Sequence, residues 1–322
     1  MRAIVMHEPG GPEVLRPEEV PEPSPGPGQV VIRVEAAGVG YADTLLRARG
    51  FPLPVPLPAV FGFEAAGTVT ETGDRVDPAL VGTRVVTLRL GGDGGTYAEY
   101  ARAEADSLTV VPDPVTPADA VAVAVQGAVA LTLVREARLT GSETVLVEVA
   151  AGGVGAYLTQ LAPAMGASRV IATAGSAGKR RQAEDLGADL VLDHTDPGWT
   201  DRVAEAGGTL DVVFESIGGA SAGRLLDAMT PGSGRMLLYG VLDGPPAVAP
   251  MDLLRRGLTL AGCGGLTGWA LRVQEARAEV LDMLAAGRLR PWVDSVLPLE
   301  EAAAAHRRIE ERAASGKIVL VP

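Results

Sequence analysis

The sequence predicts an α/β protein of two domains, a mostly antiparallel β domain and a doubly wound parallel sheet of six strands. Three observations lead there. From Met1 to about Val121 the chain consists of short β-branched runs punctuated by Pro and Gly, the texture of an antiparallel β domain. From about Ala122 to Gly262 continuous apolar strands alternate with helical segments, the pattern of a parallel sheet covered on both faces. Residues 267–322 carry a long amphipathic helix and a last strand, which are expected to pack back on the first domain. The expected division is therefore 1–121 with 267–322, around 122–266.

In order along the chain, a strand is expected at Arg2–Met6, followed by Pro21–Gly28 as a rigid surface connection. Val30–Val34, Gly67–Thr70, Arg84–Leu90 and Thr96–Tyr100 read as further strands. In the second region the strands are Thr144–Ala150, Arg169–Ala174, Leu190–Asp193, Leu210–Glu215, Arg235–Tyr239 and Leu258–Gly262. Between them lie helices at Val154–Met165, Lys179–Leu186 and Ala220–Met229, with a kink expected at Pro163. Six strands so spaced suggest a dinucleotide-binding fold. The tail holds a helix at Trp269–Ala286 with Gly287 as its C-terminal cap, a helix at Leu299–Ala314 and a strand at Ile318–Val321.

Bulk properties narrow the function. The chain has 322 residues, 47% of them hydrophobic and 21% charged, which suits a globular protein able to bury a large core. A net charge of −12 repels a phosphate backbone, so nucleic acid is a poor partner. Apolar runs such as Ala118–Val134 are interrupted by Asp119, Gln126 and Gly127, so no membrane partner is expected. The chain opens on a strand and not on a leader-like segment, which points to the cytoplasm. One cysteine, Cys263, excludes an internal disulfide and a multi-thiolate metal site, and is expected to be a buried, inert thiol.

The strongest motif is Val147-Glu148-Val149-Ala150-Ala151-Gly152-Gly153-Val154-Gly155, a strand running through glycines into a helix. Against the dinucleotide fingerprint, Ala150 takes the first glycine position and Gly152 and Gly155 the second and third. Gly152 lets the backbone approach a pyrophosphate, Gly155 lets helix and strand pack closely, and the helix N-terminus offers free N–H groups to the anion. Ala150 requires only that the turn have no positive φ there. An NAD enzyme places a carboxylate at the end of the second strand. Here Ala174-Gly175-Ser176-Ala177-Gly178-Lys179-Arg180-Arg181 intervenes, and the next acid in sequence is Glu184. Three cations at a helix start, where the dipole disfavours them, suit the 2′-phosphate of NADPH.

Five segments now point to a family. Ala37-Gly38-Val39-Gly40-Tyr41-Ala42-Asp43, Gly62-Phe63-Glu64-Ala65-Ala66-Gly67, Gly95-Thr96-Tyr97-Ala98-Glu99-Tyr100, the glycine turn and Gly316-Lys317-Ile318-Val319-Leu320-Val321-Pro322 occur in one order. Together they resemble the zinc-free quinone oxidoreductase (zeta-crystallin-like) family of medium-chain dehydrogenases, over essentially the whole chain. The resemblance implies a GroES-like β domain, a Rossmann domain, and an active site in the cleft between them. It implies that Gly152, Gly153, Val154 and Gly155 line the pyrophosphate and that Gly175, Ser176 and Lys179 sit at the 2′-phosphate, with His194 near the adenosine. Ser216, Tyr239, Gly240 and Val241 would follow the ribose and nicotinamide, and Arg312 would reach in from the C-terminal segment. Zinc-dependent relatives carry a Cys within the segment equivalent to Gly38–Asp43 and a His where Phe63 stands. Neither is present, so no metal is expected.

The expected chemistry is hydride transfer from NADPH to a quinone or an α,β-unsaturated carbonyl, whose conjugation supplies the electron sink. The proton for the resulting enolate comes from solvent or from Tyr41, whose other role is a pocket wall. Relatives often carry Asn at Gly40, a polar residue at Phe63, Thr at Val129 and Tyr at Leu45, so the substrate half of this site is expected to be more apolar, or wider at Gly40. Two alternatives stay open: an enoyl-type reductase of a biosynthetic pathway, and a protein that binds NADPH without turnover. The last strand of the parallel sheet, Leu258–Gly262, leaves an edge that predicts a homodimer.

Overall fold

The computed structural model describes residues 1–49, 56–88, 95–206, 208–265 and 268–322. Residues 266 and 267, at an expected domain boundary, and residues 89 and 90, the end of an expected strand, lie outside them. The chain divides into two units, Met1–Val125 with Arg277–Pro322, and Gln126–Ala276.

In the first unit Gln29–Val39 is the organising strand. It pairs antiparallel with Glu64–Thr72, Tyr100–Glu104 and Lys317–Val321. The sheet continues from Glu64–Thr72 to Arg84–Leu88 and Thr109–Val110, and from Lys317–Val321 to a parallel neighbour, Val293–Pro298. A smaller sheet joins Arg2–Met6 to Leu15–Glu19 and Ala59–Val60. Ile4, Met6, Val39, Phe61, Tyr97, Leu299 and Ile318 form one core between these layers and the helix Ala302–Glu310.

Three expectations are corrected here. The strand expected at Thr96–Tyr100 begins at Tyr100 and runs to Glu104. Tyr97 instead bridges between Ile4 and Phe61 by backbone hydrogen bonds, with its ring in the core. The helix expected over Leu299–Ala314 opens as a 3-10 turn at Leu299–Glu301 and ends at Glu310. Val293–Pro298 is a strand the sequence pattern did not announce.

The second unit holds six parallel strands in the order Leu190–Leu192, Arg169–Thr173, Thr144–Val147, Val212–Glu215, Arg235–Leu238, Thr259–Gly262. The order reverses at Thr144–Val147, the switch point beside which such sheets bind ligands at their carboxyl ends. Four of the strands stop one to three residues short of their expected C-terminal ends, because the following residues turn into the loops that carry the site, whereas Val212–Glu215 and Thr259–Gly262 end where expected. Helices cover the sheet at Gly153–Ala164, Ala177–Asp185, Trp199–Glu205, Gly219–Leu225 and Pro250–Arg256. Pro163 falls in the last turn of its helix, where the lost N–H bond ends it at Ala164. Leu146, Ile171, Val213, Leu225 and Met236 are among the side chains packed beneath them.

The helix Gly268–Ala285 spans the division between the units, and Gly287, at φ +69, closes its end as expected. The stretch Pro117–Ala137 is long and apolar enough to cross a membrane, yet 67% of its most apolar window is buried inside the protein, as in a core helix. Cys263 is buried, and burial pushes its thiol up to about 11, which makes it unreactive at neutral pH.

Candidate cofactor and active site

At the end of Thr144–Val147 the chain makes a turn whose backbone explains the motif. Ala150 does not have a positive φ, but Val149 does, at +54, an outlier for a β-branched residue. The turn wraps around the Val149 carbonyl, which accepts the Gly152 N–H at 2.8 Å. A Cβ on Gly155 would lie 2.3 Å from that same oxygen, so only glycine lets the helix start this close. Gly152, at φ −86 and ψ −177, is the N-cap of Gly153–Ala164 and has no side chain to occupy the first N–H groups. Gly153 and Val154 are half-buried at this open helix start, which is a place for an anion.

The next loop follows Arg169–Thr173. Ser176 caps the helix Ala177–Asp185 by accepting the Lys179 N–H at 3.3 Å. His194 lies against this loop: a Cβ on Gly175 would stand 2.8 Å from its Nε2, and its Nδ1 is 3.2 Å from the Thr173 hydroxyl. One residue escaped sequence reasoning. Asp193, at the end of the neighbouring strand, brings a carboxylate to the helix start and pairs with Arg180 at 2.5 Å. Its hydrogen bonds from Thr195 and the Arg180 charge hold it below the usual carboxylate range. Of the three cations expected to face a phosphate, Arg180 is therefore engaged by Asp193. The signal was out of reach because Asp193 lies on the next strand.

On the other side of the switch point, Ser216 follows Val212–Glu215 and is buried, while Tyr239, Gly240 and Val241 follow Arg235–Leu238. A Cβ on Gly240 would be 2.8 Å from the Ser216 carbonyl, so the two loops touch. Burial raises the Tyr239 hydroxyl above its ordinary range, so it stays protonated. Val241 is exposed. Glycine turn, Ser176, Lys179, His194, Ser216, Tyr239, Gly240 and Val241 thus all gather at the carboxyl ends of the parallel strands.

Gly40, Tyr41 and Arg312 belong to the other unit. Arg312 sits exposed, at φ +56, in the turn after Ala302–Glu310. Tyr41 opens the helix Tyr41–Arg47 and is 40% exposed. Gly40, its N-cap, has φ −117 and ψ 163, a backbone any residue adopts.

Around this helix start the structure assembles charged residues to which the sequence assigned no role. The Gly40 N–H donates to Asp43 Oδ2 at 2.5 Å. The Tyr97 hydroxyl lies 3.4 Å from the same oxygen, and His306 Nε2 lies 3.3 Å from that hydroxyl. His306 Nδ1 faces an Arg47 amine at 3.4 Å, and since a guanidinium only donates, Nδ1 accepts and the ring proton sits on Nε2. Arg47 in turn pairs with Glu310. Lys317, 2% exposed, reaches the buried carboxylate of Glu64. A Cβ on Gly38 would stand 2.4 Å from Glu64 Oε1 and 2.5 Å from Lys317 Cε, so this pair occupies the space of the missing side chain.

Charge here is costly. Burial pushes Asp43 up to about 6 against the pull of the Gly40 N–H and of Lys317, lowers Lys317 to about 8, and holds His306, beside Arg47, down to about 3. The four segments Gly38–Asp43, Gly62–Gly67, Gly95–Tyr100 and Gly316–Pro322 meet at this one cluster, which anchors the loop bearing Gly40 and Tyr41.

Comparison with known proteins agrees with this geometry. Residues 26–113 match the alcohol dehydrogenase GroES-like domain, and residues 186–320 match the family described as zinc-binding dehydrogenase. The quinone oxidoreductase of Sus scrofa is 32% identical, with 100% of this chain and 98% of the relative covered. That of Salmonella typhimurium is 32% identical, with 99% of each covered. Among solved structures, Escherichia coli quinone oxidoreductase complexed with NADPH is 30% identical with a TM-score of 0.89, covering 100% of both chains. A mycobacterial protein complexed with NADPH is 35% identical with a TM-score of 0.89 and the same coverage. The chain is an oxidoreductase that belongs to the quinone oxidoreductase family of medium-chain dehydrogenases/reductases.

Proposed function

We propose that this protein binds NADPH and transfers hydride, without zinc, to a quinone or an α,β-unsaturated carbonyl. The observation that carries the reading is the uncapped glycine helix start beside the Ser176-capped helix with Lys179 and Arg181, one place for a pyrophosphate and one for a 2′-phosphate. Gly152–Gly155 hold the pyrophosphate, Gly175, Ser176 and Lys179 the 2′-phosphate, and His194 the adenosine side. Ser216, Tyr239, Gly240 and Val241 follow the nicotinamide half, and Arg312 would reach in from the C-terminal segment. Bound cofactor supplies the hydride from nicotinamide C4. The protein orients the acceptor, keeps water out and leaves the proton to solvent or Tyr41. Gly40 widens the acceptor side, and the apolar Leu45, Phe63 and Val129 favour bulky conjugated acceptors.

The zinc-free reading rests on the residues themselves: Phe63 stands where zinc-dependent relatives carry His, and Gly38–Asp43 contains no Cys. The test is NADPH oxidation with a panel of quinones and enones, run with and without a chelator alongside elemental analysis. One tightly held zinc per chain overturns the zinc-free reading, and NADPH binding without oxidation of any acceptor overturns turnover. We also propose a homodimer through Thr259–Gly262, which ends the parallel sheet beside the exposed Met251 and Leu254 of Pro250–Arg256. A monomer by light scattering at micromolar concentration counts against it.

A further inference from the structure

Two carboxyl groups at the carboxyl ends of the parallel strands remain unused. Glu148 follows Thr144–Val147 and Glu215 ends Val212–Glu215, and both are 0% exposed. Glu148 Oε2 accepts the N–H of Ser216 at 2.8 Å and of Ile217 at 3.0 Å, while Glu215 Oε1 accepts the N–H of Gly218. Three successive N–H groups of one loop are thus held by two carboxyls. The remaining oxygens, Glu148 Oε1 and Glu215 Oε2, are buried without a donor, and the two residues are neighbours on adjacent strands, each next after the pair Val147 and Phe214. Ionised carboxylates only accept, so two donor-less oxygens in neighbouring buried carboxyls are satisfied only if one carries a proton, and two like charges buried side by side would not both ionise.

We infer that Glu148 and Glu215 share one proton and act as a positioning pair that shapes the Ser216–Gly218 loop for the nicotinamide half of the cofactor. The inference rests on the functional reading above for what the loop receives. The loop needs holding. Gly218 and Gly219 have φ +76 and +57, and a Cβ on Gly218 would lie 2.0 Å from the Gly244 carbonyl. The loop also carries the next one: Ile217 and Ser216 carbonyls accept the N–H groups of Asp243 at 2.6 Å and Leu242 at 3.0 Å, which fixes the segment containing Tyr239, Gly240 and Val241. The titratable groups that act on Glu148 are Glu215 and Tyr239, and His194 is reached only through the Thr173 hydroxyl, which accepts the N–H of the adjacent Val149. Burial first, then the Glu215 charge, push Glu148 up to about 8, so the shared proton is kept at neutral pH and lost above it.

The test combines infrared spectroscopy with binding. At neutral pH the parent protein shows a protonated-carboxyl band that Glu148→Gln lacks, a readout that needs no cofactor. Fluorescence titration then compares NADPH with 2′,5′-ADP, which carries only the adenosine half. In the parent, NADPH weakens as pH rises through about 8. Glu148→Gln, which keeps an acceptor for the loop and an N–H for Glu215, binds NADPH as the parent does at neutral pH but without that pH dependence. Glu148→Ala weakens NADPH about tenfold, the effect of roughly 1.4 kcal/mol, and leaves 2′,5′-ADP unchanged. Absence of the band, an unchanged pH profile in Glu148→Gln, or equal weakening of both ligands by Glu148→Ala overturns the pair's role. A parent protein that binds no NADPH overturns the functional reading instead, while the infrared band still decides whether the proton is shared.

Discussion

Lys317→Met removes one positive charge from the buried interior of the first unit while keeping an unbranched apolar stem. Lys317, Glu64 and Asp43 are 2%, 4% and 4% exposed, so nothing from solvent replaces the lost ammonium. Glu64 Oε2 already has no donor, and the variant leaves both carboxyls without a cation. Breaking a buried ion pair by removing one partner costs about 3–5 kcal/mol. At about 2–4 °C per kcal/mol for a unit of this size, the unfolding midpoint at neutral pH should fall by on the order of 10 °C. At about pH 5 the loss shrinks, because Asp43, already pushed up to about 6, is protonated in parent and variant alike. The alkaline limb provides an independent sign. Burial lowers Lys317 to about 8 from its ordinary 10.5, so between these values the unfolded chain binds more protons and the parent gains stability as pH rises. The variant lacks this gain. Melting curves by near-UV circular dichroism across this range test the argument. A midpoint loss under about 2 °C, or one that is equal at acid and neutral pH, refutes it.

Three further outcomes are expected. Lys179→Ala weakens NADPH about tenfold and leaves NADH nearly unchanged, since a hydrogen bond to a charged group is worth roughly 1.5–3 kcal/mol; equal parent affinity for the two cofactors contradicts the assignment. Gly40→Asn, whose backbone the site accepts at φ −117, cuts turnover of bulky acceptors by filling space while NADPH affinity holds; loss of NADPH affinity as large as that of Lys179→Ala would mean Gly40 has been assigned to the wrong part of the site. His306 is held down to about 3 against 6.5 unfolded, so its contribution to stability is lost as pH falls between these values. The stability difference between parent and His306→Asn should therefore narrow on acidification, and a difference independent of pH speaks against a neutral buried imidazole.

The parallel sheet was legible because strands buried on both faces leave uninterrupted apolar runs such as Thr144–Val147 and Val212–Glu215. The glycine turn was legible because its chemistry lies within nine consecutive residues. What escaped was assembled from distant residues. Asp193 meets Arg180 only because two neighbouring strands end side by side, and Lys317 meets Glu64 only through pairing of Ile318 with Val39 and Gly38 with Glu64. Thr96–Tyr100 misled because Thr and Tyr favour strands wherever they pack on a pleated surface, whereas Tyr97 spends that preference on a buried bridge beside Phe61. Ala150 has no positive φ, as expected, whereas the positive φ at Val149 just before it had no signal in the motif.

The pairing of Gln29–Val39 with Lys317–Val321 has a consequence for biosynthesis. All of Gln126–Ala276 lies between these strands, so a ribosome has made the second unit before the first can be completed. At about 5–20 residues per second the earlier strand waits roughly ten seconds or more with one edge open. During that interval Asp43 and Glu64 have no Lys317 to neutralise them, and burying two bare carboxylates is strongly opposed. The nascent β layer is thus kept hydrated by its own acids, less prone to collapse or to pair its open edge with another chain, until the cation arrives with the strand that closes it.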